Sequence, residues 1–321
     1  MHKLRWGILG VAKINNRLLP GFGGGRNADL VAIASRSPEK ASAVAKAANI
    51  PVAHGSYEGL LADRNVDAVY IPLPNTLHGE WTRKAADAGK HVLCEKPLAP
   101  TAAEADAVVK YCRSKKVKLM DGFMWPHHAR TARLRQLLDS GSIGEVRQVC
   151  GTFTFMLGDD PANIRLQESM AGGSLLDVGC YPVFGIRWAF GVEPVRAFAT
   201  ATMRGGVDLG MSGVLEFPGD RVGVFDCGFT LPLRQWLEIS GTEGVVRVPE
   251  MWIPQAADDY VIYRDGRQPE RVVVDGRDQI ACMIEDFGRA VLQNEEPMPS
   301  PMEAVKTLKA LDALARSAQE G

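Results

Sequence analysis

The sequence predicts an α/β protein in two parts: a doubly wound parallel sheet over residues 1–122, then an α/β domain over residues 123–321 with an open, mainly antiparallel sheet. Three observations predict it. The first third alternates short apolar strands with helical stretches, the pattern of a parallel sheet covered on both faces. The middle of the chain changes to strands of alternating polarity joined by tight turns such as Phe217-Pro218-Gly219-Asp220, the pattern of an antiparallel sheet. At 321 residues the chain is also long enough for two domains.

Taken in order, Leu4–Leu9 reads as a strand, and Lys13–Leu19 as a helix that Pro20-Gly21 ends. "LVAIAS" (Leu30–Ser35) is the second strand. Pro38–Ala48 is an alanine-rich helix with proline in its first turn, where the missing N–H does no harm. Strands at Val52–Ala53, Ala68–Ile71, His91–Cys94 and Val117–Asp121 follow, with helices between them at Tyr57–Leu61, His78–Ala88 and Thr101–Ser114. This is a Rossmann-type nucleotide-binding pattern. Beyond a helix at Thr131–Ser140 come strands at Glu145–Met156, Val195–Met203, Met211–Phe217, Arg221–Phe229, Arg234–Gly241, Tyr260–Arg264 and Arg271–Val274. Helices interrupt them at Ser174–Phe190 and close the chain at Ile280–Gln293 and Pro301–Ser317.

Composition excludes several classes of function. A formal net charge of −1 favours neither nucleic acid nor an anionic membrane surface. The apolar runs are too short to span a bilayer. Met1-His2-Lys3-Leu4-Arg5 enters the first strand without a signal-like apolar segment, so a cytoplasmic protein is expected. The six cysteines are scattered, with no C-x-x-C pair, and read as reduced thiols. His127-His128 are adjacent, so their side chains diverge, and no metal site is expected.

Three stretches carry chemistry. "RWGILGVAKIN" nearly spells the dinucleotide fingerprint G-x-G-x-x-G, with Gly10, Ala12 and Asn15 at its three positions. Gly10 keeps the tight turn, Ala12 adds one methyl where the pyrophosphate approaches, and Asn15 pushes the helix slightly off the strand. At the end of the second strand, where an NAD site wants a carboxylate for the ribose 2′-OH, the chain has Ser35-Arg36 with Lys40 one turn on. Serine and arginine suit a 2′-phosphate, so NADP(H) is expected over NAD(H). In "AGKHVLCEKPLAP" a strand ends directly at Glu95-Lys96-Pro97, and ligands of such sheets bind beyond the carboxyl ends of the strands. The expected cofactor contacts are Gly10, Ala12, Lys13, Ile14, Ser35, Arg36, Lys40, Leu73, Pro74, Asn75, His78, Glu95 and Lys96.

With GILGVAKI, LPNTLHGEW, AGKHVLCEKP and GGSLLDVGCY (Gly172–Tyr181), the chain resembles, over its whole length, the glucose–fructose oxidoreductase / inositol dehydrogenase / rhizopine-catabolism (Gfo/Idh/MocA) family. The resemblance implies a Rossmann domain followed by an α/β domain whose open sheet commonly mediates dimers or tetramers. It implies that Lys96 lies beside the nicotinamide and the reacting hydroxyl, and that the family aspartate is Asp177. Tyr181 stands where a histidine is common, as in the branch that includes dihydrodiol dehydrogenases and NADP-dependent xylose dehydrogenases. "DGFMWPHH" is similar to a family segment that often reads E-A-F-M-W/Y-R-x-H, but Pro126 replaces the arginine and Asp121 a longer acid.

Oxidising a carbinol needs a base for its O–H proton while hydride leaves the same carbon. Lysine and tyrosine, with pKa values of about 10.4 and about 10, need tuning by charge or burial. Lys96, Asp177 and Tyr181 are the expected catalytic residues; the residues do not choose between Lys96 and Tyr181 as base. Asp177 either orients Lys96 or binds a substrate hydroxyl. Arg165 and Trp125 join these three as expected substrate contacts, with a plain core tryptophan the other reading of Trp125. The expected function is an NADP(H)-dependent oxidoreductase for a sugar, polyol or cyclic diol. The other readings are an internal-redox, sugar-modifying lyase that retains its cofactor, and a dinucleotide-sensing regulator.

Overall fold

The computed structural model describes residues 3–160 and 162–320. It divides into two compact units, one running to His127 and taking in Asp278–Val305, the other comprising His128–Arg277 and the chain from Lys306 onward. The division differs from the 1–122 and 123–321 boundaries read from the sequence.

In the first unit the elements run β1 (Leu4–Leu9), α1 (Asn15–Gly24), β2 (Ala28–Ala34), α2 (Pro38–Ala47), β3 (Val52–His54), α3 (Tyr57–Leu61), β4 (Ala68–Ile71), α4 (Asn75–Asp87), β5 (His91–Cys94), α5 (Ala102–Ser114) and β6 (Leu119–Asp121). The six strands are parallel in the order β3-β2-β1-β4-β5-β6. Strand order therefore reverses between β1 and β4, the switch point at which such sheets bind dinucleotides.

Helix α1 departs from expectation. It begins at Asn15 and runs through Pro20 to Gly24. Pro20 is exposed, so the carbonyl its missing N–H leaves unbonded lies on the solvent side. Gly21 is a packing contact and not a turn: a Cβ on it would lie 2.6 Å from Ile280 Cγ2. Ile280 belongs to a helix near the C-terminus (Gln279–Leu292, α8 below), and this explains why that segment returns to the first unit. Its Ile280, Met283, Ile284 and Phe287 complete a core with Trp6, Ile8, Leu18 and Phe22, in which Trp6 packs on Phe22 and Phe287. Burying four such side chains is worth roughly 6–12 kcal/mol of transfer free energy before conformational entropy is subtracted.

The second unit holds α6 (Ala129–Asp139), β7 (Val146–Met156), α7 (Cys180–Phe190), β8 (Arg196–Arg204), β9 (Val207–Phe217), β10 (Arg221–Gly228), β11 (Thr230–Arg234), β12 (Leu237–Gly241), β13 (Val245–Val248), β14 (Ala257–Tyr263) and β15 (Glu270–Asp275). Helix α8 (Gln279–Leu292) and helix α9 (Pro301–Glu320) close the chain. The sheet is open, in the order β15-β14-β13-β12-β7-β10-β9-β8, with β11 pairing the end of β7. All neighbours are antiparallel except β7 and β10, which run parallel. In β9, Val207, Leu209, Met211, Leu215 and Phe217 are buried while Ser212, Val214 and Glu216 turn to the other face, the period-two burial of a sheet covered on one side.

Candidate active site

In the first unit, the expected cofactor residues gather at the carboxyl ends of β1, β2, β4 and β5. Gly10 has φ +143°, a backbone that side chains rarely adopt, and a Cβ there would meet Leu73 Cδ2 at 3.1 Å. The turn closes through Asn15, whose side-chain amide donates to the Gly10 carbonyl at 2.9 Å while its own N–H bonds Ala12 O at 3.0 Å. The larger Asn15 side chain is tucked under the turn, 3% exposed, and ties it down. Lys13 is exposed, and Ala12 and Ile14 are half-buried at the N-terminus of α1, where backbone N–H groups and the helix dipole favour a phosphate.

At the end of β2, Ser35 is buried and its hydroxyl accepts the Ser37 N–H at 3.2 Å. Arg36 and Lys40 are exposed. Ser37 caps α2 by accepting the Lys40 N–H, and its own hydroxyl donates to Glu39. The Glu39 carboxylate is thereby engaged, and Arg36 and Lys40 leave two basic side chains at this edge. This donor set fits a 2′-phosphate.

Leu73, Pro74 and Asn75 form the turn into α4, which starts at Asn75, three residues before the predicted His78. His78 differs from its expected role. It is buried, with Nδ1 2.8 Å from Pro97 O and Nε2 2.7 Å from Leu73 O. Its ring nitrogens are spent on the backbone of two loops, so it binds those loops together from behind instead of opening onto a ligand. Burial lowers its pKa, against the two carbonyls that favour the protonated ring.

Lys96 and Glu95 follow β5 directly. Glu95 accepts the Tyr70 hydroxyl and, at 3.3 Å, the Lys96 N–H. Asp121, ending β6, is buried, and burial together with the Glu95 carboxylate pushes its pKa up to about 8. Trp125 is fully buried, the core reading of the two given above.

In the second unit, Arg165, Asp177 and Tyr181 come together. Arg165 Nε donates to Asp177 Oδ2 at 2.6 Å. Burial lowers the guanidinium pKa, but the Asp177 carboxylate more than offsets this and raises it, with Tyr181 adding in the same direction. Asp177 lies in a π turn, Leu175–Gly179, that leads into α7; Tyr181 is the second residue of α7, and Pro182 falls in its first turn. The wide turn lets one helical run carry both residues past the proline, as such turns often do at functional sites. Tyr181 is buried with its ring edge-on to Phe153 at 5.1 Å.

What holds this run in place is Asp208 on β9, which the sequence did not reveal. Its Oδ2 accepts the Ser174 hydroxyl at 2.5 Å and the Leu175 N–H at 2.7 Å. Burial outweighs these bonds and raises its pKa. Gly173 has φ +107°, and a Cβ there would lie 2.2 Å from Asp208 Oδ1, so glycine is needed for the acid to reach the helix start. The Gly173 N–H in turn bonds Arg165 O at 2.9 Å, anchoring the loop that carries the guanidinium. A lone aspartate within an apolar strand gives no sequence signal for this.

Comparison with known proteins bears on both units. Residues 4–123 match the GFO/IDH/MocA oxidoreductase family with its NAD-binding Rossmann fold, and residues 131–247 match the GFO/IDH/MocA C-terminal domain. The chain is 41% identical over 323 residues to D-xylose 1-dehydrogenase (NADP(+)) 2 of Haloferax volcanii, covering 99% of this chain and 98% of that protein. Among solved structures, a 3-ketoreductase from Actinomadura kijaniata in complex with NADP and TDP-benzene superposes with a TM-score of 0.90 at 30% identity, covering 98% of each chain. An aldose-aldose oxidoreductase from Caulobacter crescentus, complexed with glycerol, gives a TM-score of 0.93 at 28% identity over 100% of this chain and 98% of that one. Among the described residues, no helix is long and apolar enough to cross a membrane.

Proposed function

The chain belongs to the GFO/IDH/MocA oxidoreductase family, and we propose that it is an NADP(H)-dependent enzyme that moves hydride between the nicotinamide and a carbinol carbon, with Lys96 and Tyr181 handling the proton. The coarse activity is that of a sugar or polyol oxidoreductase; the substrates in view are aldoses, polyols and cyclic diols.

The observation that carries the reading is the position of Lys96 at the carboxyl end of β5, in the same sheet edge as the Gly10 turn, with a basic and not an acidic end to β2. When bound, NADP⁺ supplies the hydride acceptor. The chain's residues do the rest. The Gly10–Ile14 turn and the N-terminus of α1 hold the pyrophosphate. Ser35, Arg36 and Lys40 hold the 2′-phosphate, Arg36 by its planar fork. Lys96 and Tyr181 hold or take the carbinol proton. Asp177, fixed by Arg165, orients the substrate hydroxyl, and burial of Tyr181 excludes water from its phenol. The NADP named for the Haloferax and Actinomadura relatives supports the cofactor preference.

The test is turnover with NADP⁺ and NAD⁺ over a panel of aldoses, inositols and vicinal diols, followed by nicotinamide absorbance, for the wild type, Lys96→Ala and Tyr181→Phe. NADP⁺-linked turnover that falls by about a hundredfold or more in both variants supports the pair, general acid–base catalysis being worth ~10²–10⁴. Turnover undiminished in either variant removes that residue from the chemistry. Tight NADPH binding with no net turnover on any substrate would move the assignment to internal redox.

A further inference from the structure

The ring of Tyr181 has two aromatic neighbours, and the second comes from far along the chain. Phe153 of β7 stands edge-on to it at 5.1 Å, and Trp252 is tilted at 53° to it with ring centroids 6.1 Å apart. Both separations are in the range where aromatic pairs attract. Trp252 lies between β13 and β14 and is fully buried. Its indole Nε1 donates to Thr152 O at 2.8 Å, next to Phe153 on β7. The far edge of the indole rests on α7: a Cβ on Gly185 would lie 2.5 Å from Trp252 Cη2 and 2.9 Å from Cζ3. Gly185 is one turn beyond Tyr181 on the same helix face. The missing side chain at Gly185 is therefore the socket in which the indole sits. Arg130, 1% exposed, holds the segment that carries Trp252 at both ends. Its guanidinium donates to Glu250 O at 2.6 Å and Met251 O at 3.4 Å; at the other end it pairs with Asp258 at 3.0 Å and donates to Asp259 O at 3.2 Å.

We infer that Trp252 is a positioning residue for Tyr181: its indole, set in the Gly185 socket and tied to Thr152 O, fixes the direction in which the phenol points. A proton crosses only when donor and acceptor are within hydrogen-bond reach, and a misplacement of about 1 Å costs on the order of a hundredfold. Tyr181 is at the start of α7, where Asp208 holds the backbone but leaves the side-chain torsions free. The two aromatic neighbours remove that freedom. Tryptophan suits the place because it alone combines a ring wide enough to span from Gly185 towards Tyr181 with a donor for the Thr152 carbonyl. Fully buried, it touches no substrate and acts through Tyr181. Arg130 serves the same end at one remove, by fixing the backbone on which the indole stands. The catalytic consequence rests on the proposed role of Tyr181; the hold on its ring does not.

The experiment uses two full-length variants that reach the same contact from opposite sides. Trp252→Phe removes the donor and the outer ring; Gly185→Ala puts a methyl where the indole edge lies. Each is made in the wild type and in Tyr181→Phe, and kcat and KM are measured with the best substrate of the panel. The expected result is a kcat lowered by about tenfold to a hundredfold in either variant with KM little changed, and no further loss when either is added to Tyr181→Phe. In parallel, protein labelled with ¹³C at tyrosine Cε is studied by NMR relaxation, with Tyr181→Phe identifying the Tyr181 signal. The Tyr181 ring should be more mobile in both variants, while the buried Tyr260 ring keeps its wild-type order. The same loss of kcat in both backgrounds would mean that the indole only supports the fold, and would overturn the inference; so would a Tyr181 ring as rigid as in the wild type. Full turnover by Tyr181→Phe, or none with any substrate, brings down the functional reading, while the relaxation data still decide whether Trp252 holds the ring.

Discussion

Replacing Asp208 with alanine tests whether the acid on β9 holds the helical run that carries Asp177 and Tyr181. The carboxylate accepts the Ser174 hydroxyl and the Leu175 N–H, and Ser174 is fully buried. Removing it leaves two donors without an acceptor, at about 1–3 kcal/mol each. The Ser174 hydroxyl has a weak alternative in Cys227 Sγ at 3.5 Å, which returns part of the loss. The expected cost is therefore about 3 kcal/mol, or roughly 6–12 °C in Tm for a chain of this size. Asp208→Asn keeps one acceptor and should cost about 1 kcal/mol. The pH dependence has a definite sign. Burial raises the folded-state pKa, so the folded protein holds a proton that the unfolded chain has lost, and the Asp208 contribution falls as pH rises above the ordinary carboxylate range. The gap between wild type and Asp208→Asn should narrow accordingly. Urea unfolding followed by circular dichroism, alongside kcat, measures both effects. Asp208→Ala within 0.5 kcal/mol of wild type, with kcat unchanged, would refute the anchoring role.

Two further outcomes are expected. Arg36→Asp should weaken NADPH binding by about 10–100-fold and NADH binding little, because a charge-assisted bond of ~1.5–3 kcal/mol becomes a repulsion; equal losses for both cofactors, by fluorescence titration, would sink the 2′-phosphate assignment. Asp121, raised from 3.8 to about 8, should make wild-type stability decline by on the order of 1 kcal/mol per pH unit between about pH 4 and 8, since only the folded state keeps the proton there. Asp121→Asn should lack that slope, and parallel stability curves for the two proteins would contradict it.

The parallel sheet was legible because each of its strands is a short apolar run bounded by helix signals. Lys96 was legible because it follows such a strand without a spacer. Where reading failed, a distant partner was responsible. Pro20 and Gly21–Gly24 carry local signals for a turn, yet they extend α1, because glycine there lets Ile280, some 260 residues away, pack against the helix. The same packing draws residues 278–305 back to the first unit. His78 sits in a motif that suggests a ligand contact, and nothing local says that both ring nitrogens meet carbonyls of neighbouring loops. Strands β11 and β13 and the parallel β7–β10 pair depend on long-range register, to which turn residues are blind. The cluster of Arg165, Asp177 and Tyr181 was half legible: a four-residue spacing joins the last two, whereas the Arg165 ion pair follows from the loop fold that Gly173 and Asp208 impose.

The most direct test of the central claim is hydride transfer itself. The best substrate of the panel, deuterated at its carbinol carbon, is incubated with NADP⁺ and either the wild type or Lys96→Ala, and the NADPH formed is examined by mass spectrometry. The expected result is NADPH carrying one deuterium from the wild type and almost none formed by the variant. Unlabelled NADPH, or labelled NADPH produced equally by both proteins, would contradict it.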